Sequence, residues 1–169
     1  MRWHKDILFA VVVVAAATMA AAALGANHSG SRGTVAAAGS GLGRILVDGR
    51  GHTLYLFEKD KHDKSACAGK CAAAWPPLIA SGKPRAAAGA KASLLGFTRR
   101  ADGRLQVTYN HHPLYTFVGD TRKGQTAGEN VDAFGADWYA VSPAGAKVEP
   151  SAATMSGNAD PAPAGGYGY

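Results

Sequence analysis

Gly43 to Asp60 reads GRILVDGRGHTLYLFEKD, and Gly103 to Asp120 reads GRLQVTYNHHPLYTFVGD. The two stretches align without gaps at an offset of 60, with Gly, Arg, Val, His, Leu, Tyr, Phe and Asp identical at eight of eighteen positions. Each ends in Tyr-x-Phe-x-x-Asp: Tyr55, Phe57 and Asp60 in the first copy, Tyr115, Phe117 and Asp120 in the second. A Trp follows each Asp, at Trp75 and at Trp138. A repeat of this kind specifies an architecture before it specifies a chemistry.

Within each copy the pattern is that of a hairpin. Asp48-Gly-Arg-Gly51 is a turn cluster between the β-rich runs Arg44–Val47 and Thr53–Phe57. Alternate strand residues share a face, so Tyr55 and Phe57 lie together and Leu54 and Leu56 lie opposite. The second copy keeps Tyr115 and Phe117 but has Thr116 in place of Leu56, which predicts that the Tyr/Phe face is the one both copies bury. Asp102-Gly103, between Leu94–Arg100 and Arg104–Tyr109, is a further hairpin turn. Ala72–Trp75 allows one helical turn, which Pro76-Pro77 ends because neither donates a backbone hydrogen bond.

The fold expected is therefore mainly β: a small antiparallel domain of two pseudo-repeats of β-hairpins, with at most one short helix near Cys71–Trp75. Neither unit stands alone, because each exposes an apolar strand face that the other must cover. The domain spans residues 43–143, with units of about 43–80 and 94–143. The Gly, Ser and Ala of 27–42 read as a flexible linker. The segment 144–169 lacks a core-forming pattern and reads as disordered.

Ser65-Ala-Cys67-Ala-Gly-Lys-Cys71, running into Ala74-Trp75-Pro76-Pro77-Leu78, and Gln106-Val-Thr-Tyr-Asn110 accompany the doubled motif. Together they resemble the bacterial secreted-repeat lipoproteins, a family with a Tyr-x-(Phe/Trp/Tyr)-x-x-Asp motif and no assigned biochemical function. The resemblance covers roughly residues 43 to 143. It implies an extracytoplasmic envelope protein and supplies no catalytic residues.

Arg2 and Lys5 precede an apolar run from Ile7 to Leu24, followed by Gly25 and Ala26. This is the layout of a signal peptide over 1–26. The alternative is an uncleaved inner-membrane anchor over residues 7–24. Asn27, not Cys, follows Ala26, so no covalent lipid is expected. Export places the chain in the periplasm or outside the cell. The chain carries 18 Lys/Arg against 12 Asp/Glu, a formal charge of +6, with the excess between Arg44 and Lys123. Basic surface in an exported protein points to anionic envelope polymers or lipid headgroups rather than nucleic acid.

Cys67 and Cys71, in an oxidising compartment, read as a disulfide. Its short Cβ–Cβ distance, about 3.8 Å, calls for a tight loop rather than a regular helix. The alternative is a redox-active pair, although the spacing is not the two-residue one of thioredoxin-like sites. His52 and His112 sit at equivalent positions with His111 beside the second, and could converge on copper or zinc if the units pack about a two-fold axis. The other reading makes them solvated hairpin residues. Asp60 and Asp120 read as acceptors in Asx-type turns, and Asp60 with Asp63 lacks the Gly and terminal Glu of a calcium hand. The aromatics Tyr55, Phe57, Trp75, Tyr115, Phe117 and Trp138 read as core, with stacking on a ring ligand as the alternative.

No nucleophile elbow, phosphate loop, dinucleotide fingerprint or His-Glu-x-x-His is present. The expectation is a non-catalytic envelope module without a cofactor, binding anionic cell-surface components. The rival is a periplasmic redox or metal-handling protein using Cys67, Cys71, His52, His111 and His112. Oligomeric state is not readable from the sequence.

Overall fold

The computed structural model describes residues 33–149. The expected signal peptide, the alternative anchor and the tail from residue 150 lie outside the described residues.

Ile45, Leu46 and Val47 are all buried, and they sit on a strand that needs partners on both sides. β1 (Thr34–Ser40) pairs antiparallel with β2 (Gly43–Asp48), Val35 opposite Asp48. β3 (Tyr55–Phe57) and α1 (Lys70–Ala74) complete the first unit. The connector holds β4 (Ile79–Ala80) and β5 (Arg85–Ala86), and β5 runs parallel to β1. β6 (Leu95–Arg99), β7 (Leu105–Tyr109), β8 (His112–Pro113), β9 (Val131–Ala133) and β10 (Ala136–Ala140) form the second. The sheets run β2-β1-β5, β3-β10-β9 and β4-β7-β6, with β8 on β7. The mainly β fold of two hairpin units with one short helix is thus observed.

The units are intertwined. β10, from the second unit, pairs with β3 of the first, Trp138 opposite Phe57 and Ala140 opposite Tyr55. β4, following the first unit's helix, pairs with β7 of the second.

Three expectations need correction. Residues 34–40, assigned by composition to a linker, form β1. Their small side chains have poor strand propensity, but main-chain pairing to β2 and the fully buried Val35 override it. The start of the expected disordered tail also packs: Val148 N–H donates to Ala140 O at 2.8 Å, and Val141 bridges Lys147. Third, both faces of β3 are buried. Leu54 and Leu56 join Val35, Leu46, Val107 and Leu114 in one core, while Tyr55 and Phe57 join Ile45, Cys67, Trp75, Tyr115 and Trp138 in a second.

The gapless alignment of the copies also slips by one residue in space. In the first hairpin Asp48 N–H donates to His52 O across Gly49–Gly51, whereas in the second Tyr109 pairs with His112 across Asn110-His111 alone. The shorter turn makes Val107, not Gln106, the counterpart of Leu46. Leu46 N–H donates to Val141 O as Val107 N–H donates to Leu78 O, and both side chains lie in the same core. A one-residue slip exchanges the faces of a strand, so identical letters before the turn are not equivalent positions.

Candidate functional site

The repeated motif meets itself at the centre of the molecule. Tyr55 N–H donates to Tyr115 O at 2.8 Å, and Tyr115 N–H donates to Tyr55 O at 3.0 Å. This reciprocal pair marks a local two-fold relation between the copies. The side chains cross it. The Tyr55 hydroxyl donates to Asp120 Oδ2 and the Tyr115 hydroxyl donates to Asp60 Oδ2, each at 2.7 Å. The Tyr of each motif therefore satisfies the Asp of the other.

Each Asp also reaches along its own chain. Asp60 Oδ1 accepts from Ala66 N–H at 2.7 Å, and Asp120 Oδ1 accepts from Ala127 N–H at 2.8 Å. The expected Asx-type turn spans two residues; these spans are six and seven. The carboxylates tie down whole loops because the tyrosine hydroxyls already fix their orientation. Burial pushes the Asp60 carboxyl up to about 6, against the opposing pull of the Ala66 N–H, the Tyr115 hydroxyl and Arg100. Burial raises Asp120 as well. It raises the Tyr55 and Tyr115 hydroxyls further still, with their carboxylate partners adding to the shift, so both remain donors.

Around these pairs runs a stack of four rings in the order Phe57, Trp138, Trp75, Phe117. Successive centroids lie 4.1, 4.0 and 4.2 Å apart, with interplanar angles of 8°, 5° and 26°. Tyr55 meets Trp75 edge-on at 5.3 Å, and Tyr115 meets Trp138 edge-on at 5.1 Å. Offset-stacked and edge-on pairs are the favourable aromatic arrangements, worth about 0.5–1.5 kcal/mol each beyond area burial. Five of the six rings are buried and Phe117 is half-buried, so the rings face one another rather than a ligand.

The Cys67–Cys71 disulfide closes the loop leading into α1 and packs in the same aromatic core. Beside it lies a buried polar knot. Arg100 Nη1 donates to Ser65 Oγ and to Gln106 Oε1, and its Nη2 donates to Cys67 O, at 2.8, 2.6 and 2.6 Å. Gln106 Nε2 donates to Leu114 O. Arg100 belongs to the basic excess that the sequence assigns to the surface, yet its side chain is 5% exposed. The signal was Gln106, a polar residue between Leu105 and Val107 in a strand.

At the rim, the turn of each hairpin clasps the turn that follows the other copy's Asp. On one side Gly124 N–H donates to Gly51 O, and on the other Asp63 N–H donates to His111 O, both at 3.0 Å. All four residues have left-handed backbones: φ 90° and 70° at Gly51 and Gly124, 67° and 52° at His111 and Asp63. Glycine meets this requirement without strain. A left-handed residue with a Cβ costs about 1–2 kcal/mol, with Asn and Asp more tolerant. Asn110-His111 also fills the two-residue turn that prefers Asn-Gly, and both are left-handed.

The histidines divide between the clasps. His52 Nδ1 lies 3.4 Å from Asp48 Oδ2 in the glycine clasp. His111 Nδ1 lies 2.7 Å from Asp63 Oδ2 in the other, and its ring stacks on that of His62 with centroids 4.7 Å apart. His112 is half-buried and lines a cleft of about 330 Å3 with Asp60, Lys61, His62, Asn110 and His111. Burial holds the His112 imidazole below its usual range, and the neighbouring His62 and His111 add to this. The structure therefore does not bring His52 to His112; it brings His62 to His111 and His112. Their partnership is set by the turn–turn clasp, for which the sequence carries no local signal. Among the described residues no group of three or more His, Cys, Asp or Glu side chains is placed to hold a metal ion.

The chain belongs to the family described as a secreted repeat of unknown function, whose model matches residues 36–79 and 96–142. Each matched segment holds one hairpin unit with its Trp. No curated protein and no solved structure matches the chain.

Proposed function

We propose that this exported repeat protein is a non-catalytic module that associates, by charge, with anionic components of the cell envelope. The observation that carries the reading is how its charges are spent. Between Arg50 and Lys123 stand thirteen Lys/Arg and five Asp/Glu. All five acids are engaged within the fold: Asp60 and Asp120 by tyrosines, Asp63 by His111, Asp102 by Arg104 and Glu58 by Lys147. Arg104 donates from Nε and Nη2 to Asp102 and holds its carboxyl down to about 2.

Of the thirteen cations, Arg100 is buried and the other twelve are exposed, and Arg104 is the one of those twelve paired with a carboxylate among the described residues. Eleven charges thus face solvent without a counter-charge of their own. A net positive field attracts polyanions and is screened over about 8 Å at physiological salt. The sequence carries no recognisable catalytic motif beside them.

Binding to isolated envelope polymers and to anionic vesicles is expected to fall steeply between low and moderate salt. Reversal of Arg50, Arg99 and Arg122 to Glu is expected to weaken it while the melting temperature stays near native. Arg100 and Arg104 are unsuitable targets, because one is interior and the other already neutralised. Salt-insensitive binding, or a triple variant that binds like the native protein, would overturn the proposal.

A further inference from the structure

We propose that the cleft between the turns Lys61–Lys64 and Asn110–His111 binds a divalent transition-metal ion through the imidazoles of His62, His111 and His112. The molecule supplies its own control. Its two clasps share one hydrogen bond, Gly124 to Gly51 or Asp63 to His111, and one left-handed backbone at each end of it. One clasp uses glycine at both positions, which is the unstrained solution. The other places His and Asp there, types that enter this region more readily than most but at a cost glycine does not carry. Side chains held in a sparsely populated backbone region point to a use for the side chains themselves.

Their chemistry is that of a nitrogen ligand set. Asp63 Oδ2 engages His111 Nδ1 at 2.7 Å, which leaves Nε2 with its lone pair outward on a ring 59% exposed. A carboxylate behind a histidine is the arrangement that fixes the tautomer of metal-bound imidazoles and raises their basicity. His62 lies against His111, and His112 opens on the same cleft. Imidazole donors suit zinc, copper, nickel and cobalt rather than calcium or magnesium. The His62 and His111 rings lie nearly parallel, at 20°, and no three of these side chains stand as a ligand set in this structure, so binding requires His62 to turn. His62 is exposed on a turn and can swing its ring toward the ion.

The test uses untagged, chelator-stripped exported protein, with zinc measured by calorimetry and cobalt by its visible absorption. One ion per chain is expected, with nitrogen-ligand bands for cobalt and a Kd well below the millimolar range. His111→Gly copies the residue of the other clasp, so it is expected to fold, and to weaken binding by about tenfold or more. His62→Ala alters an exposed side chain outside the strained positions and is expected to weaken it similarly. His52→Ala is expected to leave it unchanged. Absence of saturable binding below roughly 1 mM, equivalent to about 4 kcal/mol, overturns the proposal. So does binding that survives both His111→Gly and His62→Ala.

Discussion

The interior and the rim of this domain treat the repeat differently. In the interior the copies are interchangeable: each Tyr donates to the other copy's Asp at 2.7 Å, and each Trp stacks on the other. At the rim one clasp is glycine against glycine and the other is histidine against aspartate, on the same backbone. A buried carboxylate must find a donor and a buried ring must find a close-packed neighbour, so few side chains satisfy the centre. An exposed turn needs only its φ angle and its main-chain bond. Divergence between the two clasps is therefore tolerated, because their side chains lie at the surface.

The strongest way to break this symmetry is at the ends of the ring stack. Phe57 is 2% exposed, and Phe57→Ala should cost about 3–5 kcal/mol. Phe117 occupies the equivalent place but is half-buried, so Phe117→Ala should cost clearly less. Denaturant unfolding of both variants measures the difference. Equal losses would show that the two ends are as interchangeable as the middle.

The tyrosines come next. Tyr55→Phe removes the hydroxyl that serves Asp120 and also accepts from Gly128 N–H, leaving buried polar atoms without a partner. A loss of about 1–3 kcal/mol is expected. Tyr115→Phe should cost less, because Asp60 is only partly buried and water can take the vacant position. A larger loss for Tyr115→Phe would place the critical node at Ser65 and Arg100, next to which its hydroxyl lies.

The smallest effect expected is one of pH. Burial raises the Asp60 carboxyl to about 6 and raises the Asp120 and Glu129 carboxyls as well in the folded state. A raised carboxyl keeps its proton in the native state after the unfolded chain has lost it. The associated stability is complete below the unfolded value of about 4 and is lost as pH rises through the folded one. Melting temperature should thus decline from mildly acidic toward neutral pH. Asp120→Asn should flatten that decline; an unchanged slope would assign it elsewhere.

The sequence by itself determined the doubled hairpin, the turn at Asp102-Gly103, the disulfide pairing and the excess of basic charge. Each is written in neighbouring residues: a period, a turn dipeptide, two cysteines four apart, a count. Tertiary structure decided the rest. It turned residues 34–40 into a strand, because main-chain pairing to β2 outweighs the weak propensity of Ala and Gly. It slid the first strands of the copies by one residue, because a two-residue turn replaces a three-residue one. It buried Arg100 beside Gln106 and gathered His62, His111 and His112 at one clasp. Those contacts join residues 6 to 50 positions apart in the chain. Their partners are chosen by how the two units close on each other, and no local pattern records that closure.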